Sequence, residues 1–87
     1  MVDVREAVKI ARNYLQEMFT NEADDIRLEE VEPDTTMSGA VIGWRVTLSF
    51  RPRSDKASGL LGSERLFKTF TIGHDGQVKS MKIRTVV

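Results

Sequence analysis

His74 is the only histidine in the chain, and it stands directly before Asp75 and Gly76. A histidine next to a carboxylate could serve as a general base or as a metal ligand. However, the chain offers no second histidine and no cysteine to complete a typical zinc site. An Asp-Gly pair between two apolar stretches is typical of a tight hairpin turn. We therefore predict a turn residue at His74, no catalytic residue and no metal site.

Two further groups of residues could bind a ligand by their chemistry. A set of carboxylates could hold a hard cation, but its spacing lacks the central glycine and terminal glutamate of a calcium loop. Its members are Asp24, Asp25, Glu29, Glu30, Glu32 and Asp34. Gly59 and Gly62 lie near serines, yet no Gly-Lys-Ser/Thr sequence is present to bind a phosphate. We expect a solvated acidic edge, no cofactor, and a protein that is not an enzyme.

The charges are divided between the two halves of the chain. The formal net charge is zero, yet residues 1–40 carry 10 acidic and 4 basic residues, whereas residues 41–87 carry 9 basic and 3 acidic residues. Either the two halves pair with each other within one domain, or separate acidic and basic patches meet a partner.

The first predicted element is an amphipathic helix that begins at Val4. Its apolar residues recur at spacings of three and four. They are Val4, Ala7, Val8, Ala11, Tyr14, Leu15, Met18 and Phe19. Asp3 is suited to cap the helix, because Glu6 follows three residues later as in a capping box. The polar run 20–25 is expected to end the helix.

The next two predicted elements form a hairpin. Residues 26–32 indicate a strand in which the alternation of apolar residues is broken by one step, as a bulge or a change of face would require. Residues 33–40 are typical of a turn. The segment Trp44 to Phe50 alternates apolar and polar residues, so we expect its apolar face on the helix and its polar, partly basic face outward.

Two more strands complete the prediction. Residues 52–63 are interpreted as a long loop, and residues 64–72 return to strand with Lys68 on the apolar side, where its stem could extend past the sheet edge. A turn at His74 to Gly76 leads to the last strand, residues 78–86, with Met81 facing the helix.

These elements predict an α+β fold in which an N-terminal helix packs on a four-stranded antiparallel meander sheet, because no second helix is available to connect parallel strands. A length of 87 residues suits a single domain, residues 1–87. The sequence has no apolar run near the roughly 20 residues that cross a bilayer, and its N-terminus lacks the pattern of a signal peptide. We expect a cytoplasmic protein without a membrane partner.

The combined pattern resembles the small PepSY-like and cystatin-like α+β modules. The resemblance rests on the N-terminal helix, the Glu-rich strand Leu28 to Glu32, the strand Trp44 to Phe50, and the last hairpin around Asp75 to Val78. It implies a binding or inhibitory role, often towards peptidases and usually outside the cytoplasm. The chain is also similar to short uncharacterised prokaryotic proteins with a comparable Gly-Leu-Leu-Gly loop, here Gly59 to Gly62.

Two surfaces are predicted to bind partners. The outer face of the sheet would gather cations around one aromatic ring, a combination that can bind single-stranded nucleic acid. Its residues are Arg45, Arg65, Phe67, Lys82 and Arg84. Leu60 and Leu61 are adjacent apolar residues between glycines, and they either fold back on the core or anchor another protein chain.

The functional hypothesis is a non-enzymatic protein-interaction or regulatory module that meets itself or another protein through the 52–63 loop, the outer sheet face or a free sheet edge. A nucleic-acid-binding accessory protein that uses the basic outer face is the first alternative. A peptidase-inhibitor-like binding domain, implied by the resemblance, is the second.

Overall fold

The computed structural model describes residues 2–19, 23–52 and 65–83. The chain forms helix α1 (Val4–Met18) and four strands, β1 (Ala23–Thr35), β2 (Val41–Pro52), β3 (Leu66–Gly73) and β4 (Val78–Ile83). Each strand pairs antiparallel with the next along the chain, and the sheet order is β1-β2-β3-β4. Because α1 packs against this sheet, the predicted helix on a four-stranded antiparallel meander is confirmed.

Helix α1 begins where the sequence predicts. The Asp3 side chain accepts a hydrogen bond from the Glu6 backbone N–H at 2.8 Å, and the Asp3 carbonyl accepts one from Ala7 N–H at 2.9 Å. The first bond satisfies the Glu6 N–H, which has no carbonyl partner within the helix, and the second is the first regular hydrogen bond of the helix. The helix buries Ala7, Ala11 and Leu15 completely, and the two alanines leave room for the large side chains of the sheet.

The core lies between α1 and the helix side of β2 and β3. Its sheet residues are Val46, Leu48, Phe50, Phe70 and Ile72. Aromatic rings of the helix and the sheet are in contact. The ring centres of Tyr14 and Phe70 are 5.9 Å apart in an edge-on arrangement, and those of Phe19 and Phe50 are 5.3 Å apart. Burial of each such side chain contributes about 1.5 to 3 kcal/mol, and this term positions the helix on the sheet.

Strand β1 is longer than predicted and contains the predicted bulge. It begins at Ala23, inside the run expected to end the helix, and continues through Thr35, inside the expected turn. Leu28 lies opposite Leu48 and Glu30 lies opposite Thr47, so Glu29 is an extra residue in the strand. A bulge of this kind restores the alternation, and it keeps Leu28 and Val31 on the same side of the sheet.

The polar face of β2 is buried more than the sequence suggested. Thr47 and Ser49 point away from α1, yet only 3% and 0% of their surface is exposed. Thr47 and Thr69 share a hydrogen bond of 2.9 Å across the two central strands. The polar face of β2 does point outward, as expected, but neighbouring side chains of β1 and β3 cover these two residues.

Strand β3 carries Lys68 on the helix side, as predicted. The side chain does not extend past a sheet edge, since β3 is an inner strand and Lys68 is 9% exposed. Its ammonium group lies 5.4 Å from the centre of the Phe19 ring. A cation over an aromatic face is stabilised by the ring quadrupole, which helps to offset the cost of burying Lys68.

Candidate functional site

The outer face of the sheet, the side turned away from α1, carries the residues predicted to bind nucleic acid. Arg45 lies beside Glu32 on one side and Thr71 on the other. Lys82 lies beside Thr69, and Phe67 lies opposite Ser49. Arg65 reaches the same face, because its guanidinium bonds Ser49. Arg84 lies outside the described residues, as do Leu60 and Leu61 of the loop.

The outer-face arginines are paired with carboxylates of β1. The Arg45 guanidinium lies 3.2 Å from Glu32 and 4.0 Å from Asp34. Arg65 forms an ion pair with Asp25, and it also donates two hydrogen bonds to the Asp25 carbonyl at 2.9 and 3.0 Å. The acidic first half of the chain thus neutralises part of the basic second half within one sheet.

Arg65 also holds a polar network that fixes the beginning of β1. Its Nη1 donates to the Ser49 hydroxyl at 3.1 Å, and that hydroxyl donates to the Glu29 carboxylate. Asp25 adopts a φ of 50°, a left-handed backbone conformation that a non-glycine residue seldom takes without support. The bonds from Arg65 to the Asp25 carbonyl supply such support, so this arginine has a structural role.

Replacement of Arg65 with glutamine should make the domain less sensitive to acid. Hydrogen bonding by Arg65 is the largest effect and lowers the pKa of Asp25; burial opposes it, and Arg27 lowers the pKa by a smaller amount. A folded-state pKa below the unfolded value stabilises the fold above the unfolded pKa, and this contribution disappears as the pH falls through the folded pKa. The destabilisation caused by Arg65→Gln should therefore be larger at about pH 7 than at about pH 3.

Urea unfolding of both proteins at the two pH values measures this difference. Arg45→Gln is the matched control, because Arg45 and its partner Glu32 are about half exposed and an exposed pair contributes at most about 1 kcal/mol. If Arg65→Gln lowers the free energy of unfolding equally at both pH values, the stabilisation by Arg65 does not depend on the ionisation of Asp25.

Phe67 and Lys82 are the two remaining outer-face candidates. Phe67 is half-buried, whereas Lys82 is exposed. Among the described residues, no carboxylate lies within ion-pair distance of Lys82. Lys82 belongs to β4, so this outer-face cation lies at one edge of the sheet.

The two edges of the sheet differ in regularity. The pairing of β1 is interrupted at three places, between Asp24 and Arg27, Leu28 and Glu30, and Asp34 and Thr35. Pro33 also lies in β1 and has no N–H to donate. The pairing of β4 shifts only near Val78 and is regular from Ser80 to Ile83. Bulges and prolines protect an edge from further pairing, so β4 is the less protected edge of the sheet.

A groove of about 330 Å³ opens between α1 and the beginning of β4. The helix contributes Ile10, Asn13, Tyr14 and Glu17, and the hairpin contributes Gly76, Gln77 and Val78. Ile10 is absent from the predicted apolar face of α1, although it lies three residues after Ala7 and four residues before Tyr14. That spacing could have identified it as part of the same face.

His74 lies in the β3–β4 turn, as predicted. The turn is closed by a hydrogen bond from Gly76 N–H to the Gly73 carbonyl at 3.0 Å. The His74 ring bonds the Val41 carbonyl through Nε2 at 2.8 Å, so it ties the turn to the beginning of β2. Its Nδ1 is buried and has no hydrogen-bond partner among the described residues. The ring also borders a groove of about 380 Å³ lined by Val2, Asp3, Val41 and Trp44.

A third groove, of about 300 Å³, runs along the opposite side of α1 beside β1. It is lined by Val4, Arg5, Val8, Leu28 and Val31. Within residues 2–19, 23–52 and 65–83, no three side chains of the metal-ligating types are placed to hold an ion. The same residues contain no helix of the length and apolarity needed to cross a membrane.

Comparison with known proteins adds no relative. No protein-family model matches the chain, and neither a curated protein nor a solved structure is significantly similar to it.

Proposed function

We propose that this domain is a non-enzymatic protein-interaction module that binds an extended segment of another protein along β4. The single observation that carries the proposal is the difference between the two sheet edges. Strand β1 is interrupted by bulges and Pro33, whereas β4 is regular from Ser80 to Ile83. An edge strand presents a row of backbone N–H and C=O groups, and an added strand can satisfy them.

The groove beside β4 supports the same proposal. In recognition by strand addition, main-chain hydrogen bonds supply affinity, and pockets for alternate side chains supply specificity. A strand docked on β4 would direct every second side chain towards α1, where Ile10, Tyr14 and Val78 line the groove. The β4 edge offers the main-chain hydrogen bonds that supply affinity, and the groove offers a pocket that supplies specificity.

The nucleic-acid alternative has weaker support in this geometry. Arg45 and Arg65 already contact carboxylates, and binding a phosphate would require them to leave those partners. Affinity for a labelled single-stranded oligonucleotide that falls steeply with salt would favour the alternative. A peptidase-inhibitor-like role would be one form of the proposed module, with a peptidase as the partner.

A peptide library displayed on phage tests the proposal. We expect selection against the domain to yield peptides that bind in extended form, and we expect these peptides to slow hydrogen exchange of backbone N–H groups in β4. In the unbound domain, the outward N–H groups of an edge strand exchange quickly because they are exposed.

The amides of β1 are the internal control in the same exchange experiment. Their exchange rates should not change, because the bulged edge takes no strand. Failure to select any peptide, or protection confined to residues outside β4, would overturn the proposal.

A further inference from the structure

We infer that the segment bound by β4 is acidic on one face and apolar on the other. This inference rests on the proposed function and specifies the chemistry of its partner. It follows from the different surroundings of the two faces of a strand added to β4, because successive side chains of a strand point to opposite sides of the sheet.

The outer face next to β4 favours a carboxylate. Lys82 is exposed and points to this face beside Thr69. The acidic residues of β1, such as Glu32, lie at the far edge of the sheet, with β2 and β3 between them and Lys82. A partner carboxylate placed beside Lys82 would form an ion pair across the two strands, as opposite charges do in a sheet.

The helix side next to β4 favours an apolar side chain. Ile10, Tyr14 and Val78 are half-buried and form the apolar part of the groove between α1 and β4, whereas its other side chains, Asn13, Glu17 and Gln77, are exposed. Met81 also packs against the core from β4. An apolar side chain of the partner would cover these surfaces and extend the existing core by one strand.

The charge of the edge argues against a second copy as the partner. In β4, Lys79 is paired with Asp75 at 2.8 Å, so Lys82 carries the uncompensated charge of the strand, and antiparallel pairing of two β4 strands would bring two such lysines onto neighbouring strands. Like charges close together on neighbouring strands are destabilising. The β1 edge of a second copy is acidic, but its three irregularities interrupt the backbone pattern that β4 would need.

Synthetic peptides of defined pattern test the inference. The probe is a labelled peptide that alternates Glu and Val, compared by fluorescence anisotropy with peptides that alternate Lys and Val or Glu and Ser. We expect the Glu–Val peptide to bind most tightly, with an affinity that decreases as salt screens the charges. Equal binding of the Glu–Val and Lys–Val peptides would contradict the acidic face, and equal binding of the Glu–Val and Glu–Ser peptides would contradict the apolar face.

Two charge-reversal variants separate a local effect from a change in net charge. Lys82→Glu should weaken binding of the Glu–Val peptide about tenfold and strengthen binding of the Lys–Val peptide. Arg5→Glu makes the same change in net charge on the β1 side of α1, so it should leave both affinities unchanged. An equal loss in the two variants would overturn the assignment to Lys82.

Two alanine variants test whether the groove beside β4 binds the apolar side chains of the peptide. Ile10→Ala should reduce the preference for the Glu–Val over the Glu–Ser peptide, whereas Val8→Ala, in the groove beside β1, should not. An unchanged preference in Ile10→Ala would overturn the groove assignment.

Failure of this inference and failure of the proposed function give different results. Peptides selected from the library that protect β4 without an acidic and apolar alternation would overturn the inference alone. If no peptide protects β4, both are overturned. A mass that rises with protein concentration in the absence of peptide would identify a second copy as the partner and overturn the inference.

Discussion

Replacing Phe70 with alanine should lower the free energy of unfolding by about 4 kcal/mol. Phe70 is completely buried, lies between Val46 and Met81 in the sheet, and receives the edge of Tyr14 at 5.9 Å. Truncation removes the transfer free energy of the ring and leaves a cavity between helix and sheet. A domain of this size has a total stability of about 4 to 13 kcal/mol, so the variant should lose between about a third and all of it.

Phe67 provides a matched control on the same strand. It lies three residues before Phe70 and faces the opposite side of the sheet, where it is half-buried. Phe67→Ala should therefore cost about 1 kcal/mol. Urea unfolding followed by circular dichroism measures both variants, and Phe70→Leu, expected to cost about 1.5 kcal/mol, gives a measurable value if Phe70→Ala does not fold. Equal losses for Phe67→Ala and Phe70→Ala would mean that the core is not confined to the helix side.

The fold could be predicted because periodicity depends on residues close together in sequence. The three-and-four spacing of apolar residues placed α1, and the alternation from Trp44 to Phe50 identified the face of β2 that packs on it. The broken alternation after Leu28 indicated either a bulge or a change of face, and the structure shows a bulge at Glu29. With a helix and four strands in that order, few arrangements other than an antiparallel meander bury both apolar faces.

The limits of β1 could not be predicted because they depend on distant contacts. Asp24 and Asp25 resemble loop residues by composition, yet Arg65, 40 positions away, bonds the Asp25 carbonyl and holds it in the sheet. Ser49 is a small polar residue of the kind expected to be exposed on the outer face. It is buried because Arg65 and Glu29 contact it. Local propensity contains no information about such pairings.

The candidate site was predictable only in part for the same reason. The common face of Arg45, Arg65, Phe67 and Lys82 follows from alternation and from a sequential strand order, which the sequence analysis assumed. The pairing of two of these cations with carboxylates depends on the register between β1 and its neighbours. The groove beside β4 depends on where α1 crosses the sheet, which periodicity does not specify.

Replacing Gly43 with alanine should cost about 3 kcal/mol, although the change adds a single methyl group. A Cβ atom at this position would lie 2.1 Å from the carbonyl oxygen of Ile72 on the neighbouring strand. That distance is far inside van der Waals contact, and the obstacle is backbone that cannot rotate away. Strands β2 and β3 would have to separate where Gly43 meets Gly73, and the turn that holds His74 follows directly.

Gly39→Ala separates this clash from the general effect of replacing a glycine. Gly39 has a φ of 90°, and a Cβ there would meet nothing within 4 Å. Alanine at this position should therefore cost only the backbone strain of a left-handed conformation, about 1 to 2 kcal/mol. Because both variants gain the same reduction in unfolded-state entropy, Gly43→Ala should lose more stability than Gly39→Ala by the amount by which the steric conflict between β2 and β3 exceeds the backbone strain at Gly39. Equal losses of stability in thermal or urea unfolding would contradict a close approach of Gly43 to the Ile72 carbonyl oxygen.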